Sequence, residues 1–162
     1  LENDDLTLYR RFGYGTSAFS EGWALYSEQL ALEAGLAPDP YDELGILQSE
    51  IFRAVRLVVD TGIHYKKWTR EEAIAYMKAK TGMSDTECRV EIERYIVWPG
   101  QALSYKVGMI KILELREKAM NALGDKFNIK DFHSAVLDHG NPPLFIVEQK
   151  IDEMIYEGLK NN

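Results

Sequence analysis

A chain of 162 residues with a single cysteine, a formal net charge of -7 and a pI near 5.0 excludes an internal disulfide framework and argues against a sequence-independent nucleic-acid surface. No apolar run approaches the length of a membrane span, and 46% hydrophobic with 28% charged residues is the balance of an ordinary globular domain. Cys88 does not decide the compartment, which stays open between the cytoplasm, weakly favoured, and export. The chain opens Leu1-Glu2-Asn3-Asp4-Asp5, with neither an initiator Met nor a signal peptide. Residues 1–162 therefore read as a single helical domain, the C-terminal fragment of a longer chain.

Residues 1–15 are polar, then aromatic and Gly-punctuated (Arg10-Arg11-Phe12-Gly13-Tyr14-Gly15), which predicts a loop leading into the first helix. That helix runs from about 17 to Ala34, with Gly35 in the C′ position and Pro38 and Pro40 after it. A second long helix spans about 41 to 66. Thr69-Arg70-Glu71-Glu72 and Ser84-Asp85-Thr86-Glu87 are capping boxes, opening helices to about Lys80 and about Val97. Pro99-Gly100 breaks the chain, and a helix follows from Gln101 to Leu123. Asn128 caps a short helix to about Asp138. Pro142-Pro143 start the last one, to about Leu159. No segment alternates at period two, so the expected class is all-α, a multi-helix domain of about seven helices.

Three stretches carry candidate chemistry. In Ala18-Phe19-Ser20-Glu21-Gly22-Trp23-Ala24-Leu25-Tyr26-Ser27-Glu28, Glu21, Ala24, Leu25 and Glu28 share a helical face, which sets two carboxylates among small and apolar residues. A buried Glu there can be an oxygen ligand to zinc; a solvated or salt-bridged carboxylate fits the same spacing. On the second long helix Glu50, Arg53, Leu57, Asp60 and His64 form one stripe. Ile51, Phe52, Val55, Val58 and Val59 cover the other faces, which predicts a buried helix. The stripe is then either an internal network, Glu50 with Arg53 and Asp60 with His64, or the lining of a cleft in which Asp60 orients His64 as a proton donor. In Trp98-Pro99-Gly100-Gln101-Ala102-Leu103-Ser104-Tyr105, Tyr105 is placed to donate to a developing oxyanion, or to sit as an amphipathic residue at the core edge. His133 reads as a partly buried, satisfied residue and His139 as a surface loop residue.

Together, the stretch Ala18 to Tyr26, the stretch Arg56-Leu57-Val58-Val59-Asp60-Thr61-Gly62-Ile63-His64, and Arg94-Tyr95 with Pro99 to Gly108 resemble the bacterial domain of unknown function 885 family, related to zinc-dependent peptidases of the gluzincin kind. The resemblance runs from about Arg11 to about Tyr156. It implies the C-terminal part of a larger helical metallopeptidase-like fold that hydrolyses peptide bonds. It implies zinc as cofactor with Glu21 as a metal ligand, and Tyr105 stabilising the transition state; on the cleft reading of the stripe, Asp60 and His64 are expected beside Tyr105, opposite the metal. Arg94, Tyr95 and Gln101 are then expected to bind the peptide substrate. Tyr105 three residues before Gly108 also resembles the Tyr-Ala-Leu-Gly of helical metallocarboxypeptidases.

This sequence departs from that pattern in lacking a His-Glu-x-x-His array among His64, His133 and His139. Two zinc ligands and the general base would have to come from the N-terminal part of the same protein. The fragment alone is expected to be inactive, to bind zinc weakly, and to self-associate through faces that part would cover. The other class of reading is a non-catalytic helical module, whose polar stripes hold helices together or form a partner groove.

Overall fold

The computed structural model describes residues 4–13, 15–37 and 39–160. Among them are seven α-helices and no strand: α1 (Ser17–Glu33), α2 (Pro40–His64), α3 (Arg70–Thr81), α4 (Asp85–Val97), α5 (Ser104–Leu123), α6 (Ile129–Leu137) and α7 (Leu144–Lys160). The all-α expectation therefore holds, and apart from the start of α5 the helix ends fall within about two residues of those predicted.

Local chemistry explains those ends. Asp39 accepts the Tyr41 N–H at 2.8 Å, and Pro40 occupies the first turn of α2, where its missing N–H costs nothing. Both predicted capping boxes form. Thr69 and Ser84 accept from the backbone of Glu72 and Glu87, whose carboxylates return the bond at 2.7 and 2.9 Å. Two stretches differ from expectation. Tyr9–Gly13, read as loop, makes a single π-helical turn. Gln101–Leu103, read as the start of α5, is a 3-10 turn, because Gly100 in the left-handed region (φ 81°) sets a tighter approach than an α-turn. Tyr14 and Pro38, assigned above to a loop and a helix stop, lie outside the described residues.

The chain groups into two compact units, residues 1–23 with 107–162, and residues 24–106. The first has an apolar centre of Ile112, Leu115, Ala119, Phe132, Val136, Val147 and Ile151 from α5, α6 and α7. The second packs α2, α3 and α4 around Val55, Val59, Ala73, Met77, Cys88, Ile92, Tyr95 and Ala102. Phe52, Ile63 and Trp68 lie against that core. A Cβ on Gly62 would fall 2.4 Å from the Trp68 ring, so only glycine lets the indole close over α2 there.

The expectation that α2 is buried on most sides is corrected. Val55 and Val59 are buried, but Leu44, Leu47, Ile51 and Val58 are exposed along one stripe of the helix.

Candidate functional site

Two of the three candidate stretches meet in the unit of residues 24–106, around Arg56. This residue is only 4% exposed, yet it forms no salt bridge among the described residues. Its guanidinium lies 4.3 Å from the centre of the Tyr105 ring, 5.4 Å from Phe52 and 5.5 Å from Tyr95. Its one hydrogen bond runs from Nη2 to Oε1 of Gln101 at 3.3 Å, and its shielded Nε has no acceptor. Aromatic faces return about 2 kcal/mol to a desolvated guanidinium, less than the several kcal/mol that burying an ion costs.

Arg94, one turn from the end of α4, donates from Nη1 to the same Gln101 Oε1 at 3.1 Å and from Nη2 to Glu91 at 2.6 Å. The Tyr95 hydroxyl also donates to Glu91. Burial works against the Glu91 charge, but the hydrogen bonds from Arg94 and Tyr95 outweigh it and hold its carboxyl below the usual range. Burial, reinforced by the bond to Glu91, pushes the Tyr95 phenol far up, so it stays protonated. Burial tends to lower the Arg94 pKa, and Glu91 more than offsets it, raising it. Tyr105, in the first turn of α5, is half-buried, and its hydroxyl has no hydrogen-bond partner among the described residues.

Asp60 and His64 do not pair. Asp60 is 3% exposed, and its carboxylate accepts the Gly100 N–H at 3.1 and 3.3 Å, tying the Pro99-Gly100 turn to α2. His64 bonds the Tyr95 carbonyl at 2.9 Å, and a carbonyl only accepts, so Nε2 carries the proton. The expected internal network is rearranged as well. Glu50 pairs with Lys106, and Arg53 with Glu28 at 3.7 Å and with Ser49. Glu50 and Arg53 thus find their charged partners on other elements, and Arg53 also bonds Ser49 one turn earlier on α2, rather than pairing with each other.

Glu21 belongs to the other unit. It is half-buried and makes no hydrogen bond or ion pair among the described residues. The small residues beside it serve a helix crossing. A Cβ on Gly22 would lie 2.4 Å from the Gly108 Cα, and one on Gly108 would lie 1.8 Å from the Ala18 carbonyl oxygen. Here α1 meets α5 backbone to backbone. Its expected companions diverge: Leu25 is buried, Ala24 exposed, and Glu28 is spent on Arg53. Among the described residues no group of three His, Cys, Asp or Glu side chains is placed to hold a metal ion. The residues of this chain do not by themselves fit zinc; Glu21 is a single donor. His133 is half-buried with its ring edge-on to Trp23 at 5.4 Å, as expected. His139 is half-buried rather than on the surface, and burial together with Lys150 lowers its pKa.

Of the residues singled out from sequence, Asp60, His64, Arg94, Tyr95, Gln101 and Tyr105 lie in this one unit. Arg94, Tyr95, Gln101 and Tyr105 touch either Arg56 or one another. Sequence reasoning passed over Arg56 and Glu91. The signal was available: Arg56 and Asp60 are one turn apart, and Glu91, Arg94 and Tyr95 follow i, i+3, i+4 spacing on one face.

Residues 1–151 match the family described as "Bacterial protein of unknown function (DUF885)". This chain belongs to that family. Two solved structures are similar to it. One is described as the crystal structure of "the putative lipoprotein from Colwellia psychrerythraea", 54% identical with a TM-score of 0.85, covering 87% of this chain and 24% of that one. The other is described as "a putative lipoprotein of unknown function from Shewanella oneidensis", 30% identical with a TM-score of 0.79, covering 84% of this chain and 25% of that one. The chain thus spans about a quarter of the length of these solved relatives. No curated protein matches it. Among the described residues no helix is long and apolar enough to cross a membrane.

Proposed function

We propose that this chain is the C-terminal, substrate-binding part of a zinc-dependent peptidase of the gluzincin kind, with peptide as substrate. The observation that carries this reading is the cluster of Arg56, Arg94, Gln101 and Tyr105, where motif residues from four elements converge on one polar point. A half-buried phenol with no protein hydrogen bond is suited to donate to an oxyanion, and the Arg56 guanidinium, which has no carboxylate partner, suits a peptide's polar end. Asp60 acts as a positioning residue through the Gly100 turn, and only Nδ1 of His64 is left to face a substrate. Glu21 is proposed as one zinc ligand, completed by residues outside this chain. The relatives described as lipoproteins favour export over the cytoplasm for the parent protein.

Two variants of the full-length protein test the reading. Tyr105→Phe should lower kcat and kcat/KM together by on the order of a hundredfold, with Tm unchanged. Glu21→Gln should lower zinc content by elemental analysis at matched folding. Wild-type turnover in the first, or wild-type zinc in the second, removes that residue from the mechanism. The second reading, a non-catalytic helical module, is favoured by the exposed apolar stripe Leu44, Leu47, Ile51 and Val58 on α2. It predicts no hydrolysis by the full-length protein, and concentration-dependent association of this chain by analytical ultracentrifugation.

A further inference from the structure

Arg56 poses a question that the peptidase reading does not answer. A guanidinium carries five N–H donors in a fixed fork. At Arg56 one of these bonds is made to a protein group, to a neutral amide oxygen, and the residue is 96% buried by the complement of its 4% exposure. Buried arginines are ordinarily matched to a carboxylate or phosphate, because planar bidentate recognition is what the group does best. The acidic groups around it are already committed. Glu91 accepts from both Arg94 and Tyr95, and Asp60, one turn along α2, accepts the Gly100 N–H. Two guanidinium groups converge on Gln101 Oε1, at 3.3 and 3.1 Å, and between them they have one directly bonded carboxylate. The Arg94 side chain is 34% exposed, so the cluster reaches solvent at Arg94, while Arg56 is buried and shares the Gln101 acceptor with it. The rings of Phe52, Tyr95 and Tyr105 pack around the Arg56 guanidinium; Tyr95 is buried in the core, and Tyr105 is half-buried.

We propose that Arg56 and Arg94 form a receptor for a monoanionic carboxylate, the free C-terminus of a peptide, seated beside Gln101 and against the Tyr105 ring. This rests on the peptidase reading for its choice of a peptide, and it narrows that reading to enzymes that act near a chain's C-terminal end. A carboxylate fits better than a phosphate dianion, because the Glu91 charge sits on Arg94 and repels a second negative charge. The half-buried Tyr105 ring suits the apolar side chain that a terminal residue carries and a bare inorganic anion lacks.

The test is calorimetry on the full-length protein, with N-acetyl-phenylalanine, its C-terminal amide, acetate and inorganic phosphate as probes. The acid should bind at least about tenfold tighter than the amide, since hydrogen bonds to a charged group are lost in the amide. It should also bind tighter than acetate, which lacks the ring. Arg94→Met, a partly exposed site, should fold with an unchanged helical circular dichroism spectrum and lose most of the acid preference. Arg56→Lys should lose it too, because an ammonium cannot reproduce the fork. Equal binding of acid and amide overturns the proposal, as does phosphate binding tighter than the acid, or an acid preference that survives both substitutions. The outcomes separate this proposal from the peptidase reading. Acid preference without peptide hydrolysis leaves the receptor standing and ends the peptidase; hydrolysis that is indifferent to a C-terminal amide does the opposite.

Discussion

The two units bury different kinds of group. The unit of α5, α6 and α7 has an interior of aliphatic and aromatic side chains, and its charged pairs, such as Lys111 with Glu148 at 3.0 Å and Lys118 with Asp152 at 2.5 Å, sit at the surface. Its motif residues Ala18, Gly22 and Gly108 serve a close helix crossing. Among the described residues, the buried polar side chains Arg56, Asp60 and Thr81 all belong to the unit of α2, α3 and α4. Surface ion pairs contribute little and tolerate change, whereas a buried ion demands an explanation. One set of motif residues is therefore explained by packing alone, while the other keeps polar capacity that packing does not use.

The sharpest way to break that contrast is at Gly108. Gly108→Ala places a methyl against the Ala18 carbonyl oxygen. We predict a loss of about 3 kcal/mol from overpacking, or a Tm lower by about 10 °C for a chain of this size. A differential scanning calorimetry trace that matches the wild type would show that the crossing is not tight.

Asp60→Ala should be next in size. It leaves the Gly100 N–H without its acceptor, at a cost of about 2 kcal/mol. Asp60→Asn keeps an acceptor and should cost less. Equal losses by chemical denaturation would mean that the charge, not the bond to the turn, is what Asp60 supplies.

Ser84→Ala removes the cap that accepts the Glu87 N–H and should cost about 1 kcal/mol. The same denaturation experiment reads it, and no loss would mean that α4 is held by its buried face alone.

The smallest effect is in pH. The Glu91 carboxyl lies below its ordinary value in the folded chain, so its contribution is present above the unfolded value and is lost as pH falls through the folded one. Between about pH 6 and about pH 3, the wild type should lose more Tm than Glu91→Gln. Parallel melting curves would show that the pair with Arg94 adds no acid-sensitive stability.

Much of the fold was legible because its signals are local. Thr69, Ser84, Asn128, Gly35, Gly82 and Pro142-Pro143 act within a few residues of themselves, and each marks a helix end where the structure has one. The 3-10 turn at Gln101–Leu103 escaped notice because it depends on how Gly100 is held by Asp60, 40 residues earlier. The site was legible as a set of residue types but not as a set of pairs. Asp60 and His64 are adjacent on their helix and were expected to meet. Each instead bonds backbone in the segment around α4, the Gly100 N–H and the Tyr95 carbonyl. Buried backbone groups at a turn and a helix end need partners, and these two polar side chains supply them.

By itself, the sequence determined the helices, their caps, the all-α class and the family, since periodicity, capping and motif register are properties of neighbouring residues. The tertiary structure decided which polar residues are spent and which keep free donors. It turned Asp60 toward Gly100, committed Glu91 to Arg94 and Tyr95, and left Arg56 buried among three rings with its one hydrogen bond to Gln101. A side chain's partners are fixed by distances between elements far apart in the chain, and by the cost of leaving a buried donor or acceptor without one. Spacing along a single helix carries neither.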